Sequence, residues 1–184
     1  MDINTFIINY LNLFIMNNTF NFAGKRASSQ RVTRLDVRSG HLSQYCGPNK
    51  PRNEFDYAEG KLLGISIRAH ESTAGEINFA DLHFVNNEEK FTISCIACSS
   101  ITADLVAHLA KIKDPASLIR VEVWPKGSFT NCSVFENGEK LSFLTLPKAV
   151  KVQNGLKMVV DSSDRDTAVL KLIEDINTRF GYEQ

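Results

Sequence analysis

"KFTISCIACSSITADLVAHLAKIKDP", Lys90 to Pro115, changes its character halfway along. Its first ten residues read as a β-strand running into a helix cap. From Ser100 onward, Ile101, Leu105, Leu109 and Ile112 recur at the spacing of one helical face. Ser100 is the expected N-cap and Pro115 the stop.

Two strands precede this junction. "GKLLGISIRAH" (Gly60–His70) alternates, with Leu63, Ile65 and Ile67 on one side and Gly64, Ser66 and Arg68 on the other. "EINFADLHFV" (Glu76–Val85) places Ala80, Leu82 and Phe84 on one side and Ile77, Phe79, Asp81 and His83 on the other. "ESTAG" and "NNEE" are turn signals, so these strands form antiparallel hairpins. Two strands follow the helix. Leu118–Trp124 puts Ile119, Val121 and Val123 on the apolar side, and Phe129–Phe135 returns before the Asn137-Gly138 turn into "EKLSFLTL". A polar link after Pro147 leads to "DSSDRDTAVLKLIEDINTRF", an amphipathic helix whose stripe is Val169, Leu172, Ile173, Ile176 and Phe180.

The expected fold class is therefore mainly β with two helices. Three meandering strands, a helix and two strands is the element order of the OB-fold, a five-stranded barrel with its helix between strands 3 and 4. An internal glycine, Gly64, suits a first strand that bends to serve both halves of such a barrel. An unrelated α+β sandwich has a similar order and stays open as the alternative. The expected organisation is a disordered extension or start-site artefact over residues 1–15, a basic N-terminal arm over 16–53 with room for a short strand at Arg31–Val37, the barrel over 54–146, and a linker with the terminal helix over 147–184. The second methionine, Met16, is the expected natural start. The opening "MDINTFIINYLNLFI" is too short and too polar to span a bilayer and lacks the basic start of a signal peptide.

The chain of 184 residues is long enough for one domain with a proper core, and 43% hydrophobic with 23% charged residues fits a soluble globular protein. Nothing marks a secretory context, and the expected location is cytoplasmic. Lys and Arg equal Asp and Glu, so net charge alone offers no general argument for nucleic acid. Its distribution is less even: Lys25, Arg26, Arg31, Arg34, Arg38, Lys50 and Arg52 face only Asp36 in their stretch, whereas Glu71–Glu89 holds acids and no base. A basic arm on a neutral body fits a polyanion, and a solvated loop would look similar.

Catalytic signals are weak. No Gly-rich phosphate loop, metal-binding histidine pair or serine elbow occurs, and the expectation is a non-enzyme without metal or organic cofactor. Cys95 and Cys98 have the spacing of a redox or zinc pair, but residues three apart on a strand diverge, so both are expected to be packing residues. Cys46 lies in a polar loop with no obvious base beside it.

Binding signals are stronger. If Ile119, Val121 and Val123 fill the barrel, Arg120 and the single tryptophan, Trp124, project outward, with Lys126 and Phe129 on the loop that follows. Arg68, Phe79, His83, Asn131 and Phe135 point the same way. Flat rings interleaved with cations suit single-stranded nucleic acid, because every base has a π-face to stack and every linkage a phosphate. The arm, with Lys25, Arg26, Arg31 and Arg34, would add phosphate neutralisation. Each residue has a plainer role available: Trp124 beneath the terminal helix, Phe79 or Phe135 against the arm, Arg68 and Lys126 as solvated charges.

"FDYAEGKLLGISIRAHE", "EKFTISCIACSSITADLVAHLAKIKD" and "LIRVEVWPKGSFTNCSVFENGEKLSF" together resemble the small OB-fold single-stranded-DNA-binding proteins of tailed bacteriophages, particularly crAss-like phages. The resemblance spans roughly residues 55–145, with an extension through "DSSDRDTAVLKLIEDI". It implies coating of single-stranded DNA, with RNA an alternative, in phage replication or recombination within the host bacterial cytoplasm. Arg68, Trp124, Lys126 and Phe129 are the positions it places at the groove. Many such proteins end in an acidic tail that recruits partners. This chain ends in "NTRFGYEQ", which argues against tail-mediated recruitment and leaves its helix to pack on the barrel or pair with a second copy. The rival expectation is a phage structural or interaction module with Trp124 in a protein interface.

Overall fold

A computed structural model describes residues 32–73, 75–154 and 157–183. The expectations for residues 1–15, and for Lys25, Arg26 and Arg31, lie outside them. Nine strands form one sheet in the order β3-β2-β1-β6-β5-β4-β7-β8-β9. These are β1 (Thr33–Arg38), β2 (His41–Gln44), β3 (Asn53–Phe55), β4 (Tyr57–Ser72), β5 (Gly75–Asn86), β6 (Glu89–Ile96), β7 (Ile119–Lys126), β8 (Phe129–Glu136) and β9 (Glu139–Lys140). Helix α1 (Ser100–Leu109) separates β6 from β7, and α2 (Ser163–Phe180) follows a separate hairpin of β10 (Val150–Asn154) and β11 (Lys157–Asp161).

The fold is thus mainly β with two helices among the described residues, and the expected meander β4-β5-β6, helix, then β7-β8 is present. A closed five-stranded barrel of that order would bring β8 back to β6. Instead, β6 carries β1 along that edge in a parallel ladder, from Thr33↔Phe91 to Asp36↔Ser94. The stretch read as an arm therefore supplies three strands of the sheet from Thr33 onward. β1 falls on the short strand expected at Arg31–Val37, whereas β2 and β3 are only four and three residues long and are joined by the loop over residues 45–52, so they show no periodic run in the sequence. The stretch after Pro147, read as a polar link, contains the β10–β11 hairpin.

One residue, Asp56, separates the end of β3 from the start of β4, although four strands lie between them in the sheet order. The sheet must therefore curl until its β3 edge meets β4. Asp56 C=O accepts from Val123 N–H at 3.0 Å, and the turn Ser39-Gly40 abuts Pro125. A Cβ on Gly40 would lie 2.3 Å from the Pro125 nitrogen, so only glycine permits the approach. The inside of the curl is the core: Leu35, Leu42, Ile65, Leu82, Ile93 and Val121 are fully buried. Phe84 and Phe91 stack there with centroids 5.1 Å apart.

β4 changes partner along its length. Tyr57–Gly60 pairs with β7, and from Lys61 onward the strand pairs with β5, with a register shift between Leu62 and Gly64. Past Gly60 the edge that faced β7 would be bare. Helix α2 covers it: the Asn177 amide accepts from Ile65 N–H and donates to Ile65 C=O, both at 2.8 Å, as a neighbouring strand would. The apolar stripe of α2 is buried here, with Val169, Ile173 and Ile176 joining the common core. Arg165 donates to Cys98 C=O, and Arg179 to the Ile112 and Ala110 carbonyls at the C-terminal end of α1, where a cation is favoured. Ser99, one residue before the expected cap, accepts from Thr102 N–H, and α1 ends at Leu109, with Ile112 buried in the turn that follows. No helix among the described residues is long and apolar enough to cross a membrane.

Candidate nucleic-acid interface

Strand alternation puts one set of side chains inside the curl, and register aligns the other set into rows outside it. Across β4, β5 and β6 one row reads Arg68, Phe79, Ile96. The next, extended to β1, reads Ser66, Asp81, Ser94, Asp36, and a third reads Gly64, His83, Thr92, Arg34.

Asp81 organises this face. Its side chain is only 4% exposed; one carboxylate oxygen accepts from Arg34 Nη2 at 2.8 Å and from Arg68 Nε at 3.0 Å, and the other accepts from the Ser94 hydroxyl. Each guanidinium has five N–H donors, so both arginines keep donors for a further anion while their position is fixed. Their side chains remain 45% and 35% exposed. Arg68 also lies over the Phe79 ring at 5.0 Å, and His70 meets the edge of the same ring. On β1 and the loop after β2, Arg52 pairs with Asp36 at 3.1 Å and lies 5.5 Å from the exposed Tyr45 ring.

Charge is segregated by the same alternation. Along the β4–β5 ribbon Arg68, His70, Ile77 and Phe79 share the outward side, while the cross-strand pair Glu71 and Glu76 falls on the opposite one. Arg38, two residues beyond Asp36 on β1, shares the arginine side and is exposed. With Arg34, Arg38, Arg52 and Arg68 set against Asp36, Glu54 and Asp81, the face carries more positive than negative charge although the chain is neutral.

His83 is half-buried, its Nε2 2.8 Å from the Ser66 hydroxyl and its Nδ1 3.2 Å from the Thr92 hydroxyl. Burial holds its pKa below the ordinary imidazole value; Asp81 opposes that shift and Arg34 adds to it. The Tyr182 ring stacks on it at 5.4 Å.

The second predicted group lies on β7 and β8. Trp124 is 38% exposed opposite Asn131, and Lys126 pairs with Phe129, which is 71% exposed at the hairpin tip. All three project outward as the alternation of β7 and β8 requires. Arg120 projects outward too, its side chain 34% exposed and its guanidinium 4.9 Å from the Phe135 ring and 5.6 Å from the Tyr57 ring. Its Nε is 3.4 Å from Glu122, an ion pair without hydrogen-bond alignment. Arg120 and Phe135 pack on each other and stay partly exposed, while Trp124, Lys126 and Phe129 are exposed. The contact of Gly40 with Pro125 joins the end of the arginine face to this hairpin.

Cys95 is buried and Cys98 exposed, so the pair does not share one environment. Burial pushes the thiols of Cys95 and Cys132 up to about 12. Among the described residues no group of three or more His, Cys, Asp or Glu is placed to hold a metal ion. Sequence reading passed over Asp81, whose signal was a carboxylate on the outward side of an otherwise apolar and basic ribbon. It also passed over Tyr57 and Tyr182. No protein-family model matches the chain, and comparison with curated proteins and with solved structures gives no match either.

Proposed function

We propose that the protein binds single-stranded nucleic acid, DNA by preference, largely regardless of sequence and without catalysis. The observation that carries this reading is the fork of Arg34 and Arg68 on buried Asp81, beside Phe79, on a face from which Glu71 and Glu76 of the same ribbon point away. Preorganised guanidiniums suit phosphates, and a ring next to them suits a base. The open hairpin tip with Trp124, Lys126 and Phe129 extends the same chemistry to the other end of the sheet. The order β4-β5-β6-α1-β7-β8 supports an OB-like arrangement, in which this outward side of the meander is the ligand side. Such a protein would serve replication or recombination, and the resemblance to phage proteins makes that setting the natural one.

The test is quenching of the single tryptophan by a thymine oligonucleotide at low and then high salt. Saturable quenching that weakens steeply with salt supports the reading. No quenching together with no gel shift at low salt refutes it, and turns Trp124 and Phe129 into candidates for a protein interface.

A further inference from the structure

The third outward row ends in a position the size of a flat ring. Gly64 leaves its floor bare: a Cβ there would lie 2.2 Å from Tyr182 Cγ. The wall is His83, and the Tyr182 ring stacks on it with an interplanar angle of 23°. Ser66 and Thr92, from the two flanking strands, hold the imidazole at both nitrogens, and hydroxyls can donate or accept, so its orientation survives a change of tautomer. Arg34 lies in the same row beyond Thr92, and the Asp81 fork lies one row away.

We propose that Gly64 and His83 form a stacking site for a nucleobase, and that Tyr182 is its resident occupant. The proposal rests on the single-strand reading and names a position within it. A slot for a planar ring with a guanidinium beside it matches a base and its phosphate. Tyr182 fills the ring half of that match and leaves Arg34 exposed. The occupant is on a short tether. Gly181, with φ +63°, ends α2, and Tyr182 N–H donates to Asn177 C=O at 2.9 Å. A groove of about 540 Å³ beside the ring, lined among others by Ile67, Leu170 and Thr178, gives it somewhere to go. Tyrosine and base then compete for His83, and the apparent affinity is reduced by the fraction of molecules in which the slot is filled.

The experiment is a fluorescence-anisotropy titration of a labelled thymine oligonucleotide with the full chain and with Tyr182→Ala and Tyr182→Phe. An aromatic pair of this kind sets the expected gain at about two- to tenfold tighter binding for Tyr182→Ala, with Tyr182→Phe close to the unaltered chain. In the Tyr182→Ala background, adding His83→Ala should weaken binding more than it does in the unaltered chain. Should Tyr182→Ala lose secondary structure by circular dichroism, Tyr182→Leu, which keeps apolar bulk without a planar ring, carries the comparison. Equal or weaker binding by the folded variant, while the unaltered chain binds, overturns this site and leaves the single-strand reading standing. Absence of binding by every form removes that reading and this site with it.

Discussion

Asp81→Asn tests the arginine fork, because it keeps the shape of the side chain and removes its charge. The fork has one dry end and two wet ones: Asp81 is 4% exposed, Arg34 45% and Arg68 35%. A fully exposed ion pair contributes ~0–1 kcal/mol, and a hydrogen bond to a charged group ~1.5–3 kcal/mol. Pairs of mixed exposure fall between, at about 1 kcal/mol each. The asparagine can turn its NH2 to the Ser94 hydroxyl, which accepts as well as donates, and keep its oxygen towards the guanidiniums. The sum is a loss of about 2 kcal/mol, which for a chain of this size lowers Tm by about 4–8 °C. Binding should respond differently. With the acid gone and both arginines present, one more phosphate can be neutralised, so the slope of log affinity against log salt steepens by about 0.7 for a single strand. Thermal melts followed by circular dichroism and oligonucleotide titrations over a range of salt measure the two effects. A merely structural aspartate would cost stability and leave the salt slope alone. An unchanged slope, or a variant as stable as the parent, refutes the fork as the organiser of an anion-binding face.

Asn177→Ala removes the amide that pairs both backbone groups of Ile65; two buried polar groups lose partners, and urea unfolding should show a loss of about 2–5 kcal/mol. Burial lowers the pKa of both His83 and His108 below the ordinary 6.5, so on acidification the unfolded chain takes up protons first. Stability should be level above that value and fall as pH drops through 6.5 towards the depressed folded-state values, and His108→Gln should flatten part of that slope in urea melts. With their thiols pushed up to about 12, Cys95 and Cys132 should resist a thiol reagent at mildly alkaline pH until the chain unfolds, whereas exposed Cys98 should react at once in the native protein.

What was legible in the sequence was local. The change of period at Ser99-Ser100 marks the strand-to-helix junction, and alternation along β5 and β7 separates Leu82 and Val121 from Phe79 and Trp124. These signals are carried by residues a few positions apart, because strand and helix geometry repeat every two to four residues.

Only the tertiary structure decided which edges meet. That β6 takes β1 in parallel depended on which segment could reach its bare edge, and three short strands in a stretch of loops carry little periodicity of their own. The site was decided at the same level. Asp81 accepts from arginines 13 and 47 residues away, Asn177 finds Ile65 across 112 residues, and Tyr182 reaches His83 from the far end of the chain. Alternation could say that Arg68, Phe79 and Asp81 face outward. It could not say that a single carboxylate would gather two guanidiniums, since that needs the curl of the sheet to bring β1 beside β6. Outwardness is a property of one strand, whereas a binding face is a property of the register among several.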